Sequence, residues 1–406
     1  MKRWSQMSLP NRILIFIVLG VVAGLFLGPN AGKLKPIGDI FVRLVQMMVI
    51  LLVTPALISG MAELEDPKKI GRVGVKIAVI FILTTVIAGI MALVLGNVLG
   101  PGRGFEMALP EGFQYTKPTQ TMMDVLVGVV PKNPIAAFAE GNLLSILFVV
   151  LFLGFALSAI GEKGRVMRNF FAEWTKVSMK MLAWIMELAP FGAGALIAYS
   201  VGVHGPQVLG PLAFFVLVVY IGEALILVEY TGIMLLAGMN PVQFFKRMIT
   251  PMMVSFTTCS SMATLAVNVE AAEDMGVPNG VATFGITLGN VINMDGTALY
   301  QALAVLFVSQ VYGLALPLTS QIMVVFMASV VTISMVGVPG AGTATLGLLL
   351  MAVGLPVEAI GLVLAVDRIC DMPRTMNNVI GDNMVTSLCA KTEGLLSKDS
   401  PILLKR

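Results

Sequence analysis

The sequence predicts an all-α polytopic membrane protein, with eight transmembrane helices plus two re-entrant helical hairpins arranged as inverted repeats. Three observations lead there. The 406 residues are 57% hydrophobic and only 12% charged, whereas a soluble domain carries about 25% charged residues. Apolar runs near the roughly 20 residues that cross a bilayer recur, as at 13–28, 142–160, 211–238 and 301–336. Two late segments, 242–276 and 314–354, are apolar yet interrupted at mid-length by small and polar residues. A β-barrel would show short alternating segments instead.

The first apolar run is too long for the core of a signal peptide and reads as the first retained span. That span is expected near 12–32, and further ones near 37–62, 70–99, 121–160 with a break, 169–203 and 207–237. The long segments 278–311 and 356–394 carry polar clusters. Every second loop is basic: Lys2, Arg3 and Arg12; Lys68, Lys69, Arg72 and Lys76; Lys163, Arg165 and Arg168; Lys246 and Arg247; and Lys391, Lys398, Lys405 and Arg406 at the end. The positive-inside rule then puts both termini in the cytoplasm. That parity holds only if 242–276 enters and leaves from inside and 314–354 from outside. The net charge of +3 is spread over loops and gives no reason to expect a nucleic-acid partner. Cys259, Cys370 and Cys389 match no metal or disulfide spacing.

The hairpin tips are SFTTCSSMAT (255–264) and VGVPGAG (336–342). Gly337, Pro339, Gly340 and Gly342 propagate a helix poorly. Non-helical backbone at membrane depth survives only inside protein or against a watery cavity. Each broken segment precedes a long helix with a polar cluster. Interrupted segments in matching positions of two halves point to a midplane binding site of a secondary transporter.

The first cluster is NMDGT, residues 293–297. Asn293, Asp295 and Thr297 offer oxygen ligands, and Gly296 is expected to let the helix open. Such donors suit a hard cation such as Na⁺ rather than a transition metal. In the second cluster, DMPRTMNNVIGD (371–382), Asp371, Arg374, Asn378 and Asp382 share a helix face. Arg374 suits a carboxylate and Asp371 an ammonium group, a pairing that would read an amino acid with an extra carboxylate. The alternative is an internal Asp371–Arg374 ion pair that only locks the helix.

NMDGT, GVPGAG at 337–342 and the Asp371–Asp382 pattern resemble the dicarboxylate/amino acid:cation symporters, the glutamate transporter family, as found in prokaryotes. The resemblance covers essentially all the chain. It implies a homotrimer in a cell's inner (plasma) membrane, with scaffold spans at 1–69 and 101–206. Residues 70–100 and 207–406 would form a transport domain that moves like an elevator, gated by the second hairpin. It also implies substrate contacts from Arg374, Asp371, Asn378, Thr375, Thr297, Ser261, Val338 and Gly342. One Na⁺ site would use Asn378, Asp382, Asn293 and the Gly289 carbonyl. Another would use Thr84, Thr85, Asn293, Asp295 and the Phe81 carbonyl. A third would use carbonyls of Thr332, Ile333 and Met335 with those near Met294. The chain departs from the family at Cys259, where some prokaryotic members have arginine, at Met262, at Phe81, where tyrosine is common, and at Pro373, unusual inside this helix.

The expected function is Na⁺-coupled uptake of aspartate or glutamate. Alternatives within the fold are proton coupling, with Glu223 and Glu229 as candidate carriers, and a C4-dicarboxylate substrate, against which Asp371 argues. An ion channel would not place a guanidinium at its narrowest point. No nucleophile–base–orienter set suggests an enzyme.

Overall fold

The computed structural model describes residues 9–62, 67–107, 109, 127–140, 143–332 and 341–404. Fifteen α-helices occur among them. They are α1 (Leu9–Leu27), α2 (Lys35–Ala62), α3 (Pro67–Leu99), α4 (Pro134–Glu140), α5 (Leu143–Ala159), α6 (Arg165–Met186), α7 (Ala189–His204) and α8 (Leu209–Leu236). After these come α9 (Pro241–Thr258), α10 (Ser261–Asp274), α11 (Asn279–Ile292), α12 (Asp295–Val311), α13 (Leu318–Thr332), α14 (Ala341–Ala352) and α15 (Ile360–Thr392). The only extended pairing among the described residues is a bridge between Met239 and Leu403. The chain is a helical, multi-pass membrane protein.

Among the described residues, four stretches are long and apolar enough to cross a membrane: Ile15–Phe41, Gly74–Leu99, Pro206–Leu236 and Asn279–Val311. Their surroundings differ. The most apolar window of Ile15–Phe41 is 17% buried, while that of Asn279–Val311 is 89% buried. The first therefore presents apolar side chains such as Phe26 outward, as a lipid-facing helix does, and α11–α12 forms the protein's centre. In lipid, helices associate through close packing rather than hydrophobic expulsion, so small residues mark their contacts. A Cβ on Gly20 would stand 2.4 Å from Gly194 O, and one on Gly24 would stand 2.7 Å from Ala198 O. These contacts press α1 onto α7.

One span expected as a single helix is divided, and one expected to open does so at a different residue. Over 169–203, α6 and α7 meet at a 50° bend. Pro190 starts α7, because a residue without an N–H tolerates the first turn of a helix but not its interior. Over 278–311, the break lies at Asn293–Met294, not at Gly296, which is inside α12. Asn293 has extended backbone (φ −87°, ψ 99°), and its side chain is tied to α15. Gly296 serves a different purpose, described below.

The first hairpin is broken where expected. Cys259 closes α9 in the left-handed region (φ 52°), the one non-glycine residue with positive φ among the described residues. That conformation costs an L-residue about 1–2 kcal/mol. Ser260 then caps α10, accepting from Ala263 N at 3.2 Å. In the second hairpin, α13 ends at Thr332 and α14 starts at Ala341. Val338, Ile333 and Met335 lie outside the described residues.

Candidate substrate and cation site

The breaks bring α3, α8, α12 and α15 onto one buried cluster. Asp295, fully buried at the first turn of α12, accepts from Thr85 Oγ1 at 2.5 Å and from Tyr230 Oη at 2.6 Å. Thr84 and Thr85 also donate to Phe81 O, at 3.1 and 2.8 Å. Asn293 Nδ2 donates to Asp382 Oδ1 at 3.0 Å and to Asn378 O at 2.9 Å. Asn378 Oδ1 accepts from Gly296 N at 3.0 Å, while its Nδ2 donates to Thr297 Oγ1 at 3.1 Å and meets Met294 Sδ at 3.2 Å. The two polar clusters of the sequence are thus one constellation.

Three features fit a small, hard cation. Asn293 Oδ1 and Asp382 Oδ2 are buried without a hydrogen-bond partner, although buried polar atoms are nearly always paired. Around them the donor set is amide, hydroxyl, carbonyl and isolated carboxylate oxygen, the chemistry of an alkali-metal site rather than a soft-metal one. Finally, Gly289 makes room: a Cβ there would stand 2.5 Å from Asp382 Oδ1. The Gly289 carbonyl itself already accepts from Asn293 N at 2.7 Å.

One turn away on α15 stands the arginine. Arg374 is 2% exposed, and its Nη2 lies 2.7 Å from Asp371 Oδ1. Its Nη1 reaches Asp367 Oδ1 at 3.3 Å, and its guanidinium carbon lies 4.4 Å from the centre of the Tyr300 ring. Thr375 Oγ1 also donates to Asp371 Oδ1, at 2.9 Å. The ion pair weighed as an alternative in the sequence is therefore present. Buried pairs of this kind add little stability, and removing one partner strands the other. Two carboxylates keep the guanidinium compensated.

The second hairpin reaches this arginine, and the first reaches Arg368 on the same helix. A Cβ on Gly342 would stand 2.9 Å from Arg374 Nη1, and Gly342 O accepts from Gln301 Nε2 at 2.9 Å. From the first hairpin, Thr257 O accepts from Arg368 at 3.0 Å. Ser261, opening α10, buries a hydroxyl with no hydrogen-bond partner. Thr332 is buried, and its hydroxyl donates to Ser329 O within α13. Sequence reading missed Tyr230, Tyr300, Asp367 and Asn377. Asp367 was findable, because it lies two helical turns from Arg374 on the same face. Tyr230 and Tyr300 carry no such signal, since a tyrosine in an apolar helix reads as packing.

Broken apolar helices around buried charged and amide side chains are the pattern of a secondary transporter. The chain belongs to the sodium:dicarboxylate symporter family, which it matches over residues 9–392; it is a transporter, not an enzyme. It is 34% identical to the proton/sodium-glutamate symport protein of Geobacillus stearothermophilus, over 97% of this chain and 96% of that protein. It is 31% identical to the C4-dicarboxylate transport protein of Bacillus subtilis (strain 168), over 95% and 94%. It is also 31% identical to the proton/glutamate-aspartate symporter of Escherichia coli (strain K12), over 99% and 96%.

Proposed function

We propose that the protein couples inward Na⁺ flow to uptake of an acidic amino acid, aspartate or glutamate. The observation that carries this reading is the joining of two polar clusters through the Asn293–Asp382 and Gly296–Asn378 hydrogen bonds, with Arg374 and Asp371 one turn away. The substrate's side-chain carboxylate takes Arg374, and its ammonium takes Asp371. Asn378, Thr375 and Thr297 support its backbone, and Ser261, Gly342 and Val338 bind its carboxylates. When substrate enters, it replaces the internal ion pair with one pair to each of its ends, so neither buried charge is stranded.

Na⁺ occupies the oxygen pockets: Asn378, Asp382, Asn293 and Gly289 in one; Thr84, Thr85, Asn293, Asp295 and Phe81 in another; Thr332, Ile333, Met335 and the carbonyls near Met294 in a third. The ions order the α11–α12 break and the hairpins that also bind substrate, so ion and substrate raise each other's affinity. Residues 70–100 and 207–406 move as an elevator against a scaffold of 1–69 and 101–206. The assembly is a homotrimer in the inner membrane, with both termini cytoplasmic.

The runner-up is proton coupling, favoured by the buried Glu223 carboxyl beside Gly296 and by the names of the glutamate relatives. A C4-dicarboxylate has no ammonium for Asp371. The test is binding by purified protein at fixed pH. Aspartate or glutamate should bind with Na⁺ and weaken sharply without it, while succinate binds poorly. Equal binding of succinate, or indifference to Na⁺, refutes this reading.

A further inference from the structure

Pro373 stands inside α15, directly before Arg374. Proline lacks a backbone N–H, and its ring crowds the carbonyl four residues back. That carbonyl belongs to Ile369 and loses its helical donor, and an unpaired backbone acceptor inside a protein is costly. Tyr220 on α8 supplies the donor, its hydroxyl reaching Ile369 O at 3.1 Å.

On the other side of Arg374, Asn377 makes a second link to α8. Its Nδ2 donates to both the backbone oxygen and Oε2 of Glu223, each at 2.7 Å. Tyr220 and Glu223 are three residues apart, hence on one face of α8. Gly296 closes the same turn from α12. A Cβ there would stand 2.7 Å from Arg374 O, 2.8 Å from Glu223 Oε2 and 3.0 Å from Arg374 Cα. The backbone of Arg374 is thus gripped between α8 and the amino end of α12, at the turn that proline weakens.

We infer that Tyr220, Glu223 and Asn377 are positioning residues, which tie the proline-opened turn of α15 to α8 and so set where the Arg374 guanidinium meets the substrate. This rests on Arg374 as the carboxylate clamp of the proposed function. None of the three touches substrate; they act through the backbone that carries Arg374.

The test is a double-mutant cycle in the full-length protein reconstituted in liposomes, using Tyr220→Phe, Pro373→Ala and the pair. Aspartate KM, Vmax and the thermal midpoint are read for each. Tyr220→Phe should raise KM about five- to tenfold, as loss of one hydrogen bond does. In the Pro373→Ala background the amide of residue 373 can serve Ile369 O, so the same change should move KM less than about twofold. An equal rise in both backgrounds overturns the inference, as does a lowered thermal midpoint with KM unmoved. If Tyr220→Phe alone fails to fold, rescue by Pro373→Ala supports the link and failure to rescue overturns it. Arg374→Cys in parallel separates the two claims, because unchanged acidic selectivity there sinks the clamp reading, whereas additivity in the cycle sinks only the positioning.

Discussion

Asp371 Oδ1 lies 2.7 Å from Arg374 Nη2, and the same oxygen accepts from the Thr375 hydroxyl. An acidic amino acid carries both complements of this pair, a carboxylate for the guanidinium and an ammonium for the carboxylate. Asp371→Ala should therefore abolish aspartate binding while at least one Na⁺ site survives. Isothermal titration with each ligand checks it, and aspartate binding at wild-type strength would remove the ammonium role.

Arg374→Cys should shift preference from acidic to neutral amino acids, because the clamp for the side-chain carboxylate is lost. Asp371 and Asp367 then face each other without their cation, so the variant should also lose thermal stability, on the order of the 3–5 kcal/mol that a broken buried pair costs. Competition uptake with aspartate and serine reads the first effect and thermal denaturation the second. Retained acidic selectivity would make Arg374 a structural residue.

Thr85→Val keeps the shape of the side chain and removes the hydroxyl that sits 2.5 Å from Asp295 Oδ1. Hydrogen bonds to charged groups contribute about 1.5–3 kcal/mol. The variant should weaken Na⁺ binding roughly tenfold or more, while aspartate affinity at saturating Na⁺ stays near wild type. Loss of aspartate affinity that Na⁺ cannot restore would place Thr85 outside the ion site.

Gly289→Ala should also weaken Na⁺ binding, because its Cβ would intrude to 2.5 Å from Asp382 Oδ1. Gly232→Ala on α8 is the control, since a Cβ there meets nothing within 4 Å. A Na⁺ titration that separates the two supports the cradle, and equal affinities would remove Gly289 from it.

The long apolar runs and the polar break of the first hairpin were legible in the sequence, because a bilayer imposes length and satisfied backbone on every span. So was the constellation itself, since Asn293, Asp295, Asn378 and Asp382 are too costly in lipid to be unpaired. Less legible were features set by contact between helices. Pro190 marked the α6–α7 bend only in retrospect, as prolines also occur within membrane helices such as α2, α9 and α15. Gly296 was expected to open its helix. Instead it admits the backbone of Arg374 from a helix far along the chain, and no local pattern encodes that distance. The placements of Tyr220 and Tyr230 followed the same rule, since each answers a need created on another helix.

The most direct test of the account is uptake by the purified protein in liposomes, with labelled aspartate, glutamate, serine and succinate under Na⁺ and H⁺ gradients applied separately. An inward Na⁺ gradient alone should drive accumulation of aspartate or glutamate, with little serine or succinate and little effect of a proton gradient. Accumulation driven by the proton gradient alone, or succinate taken up as well as aspartate, would contradict it.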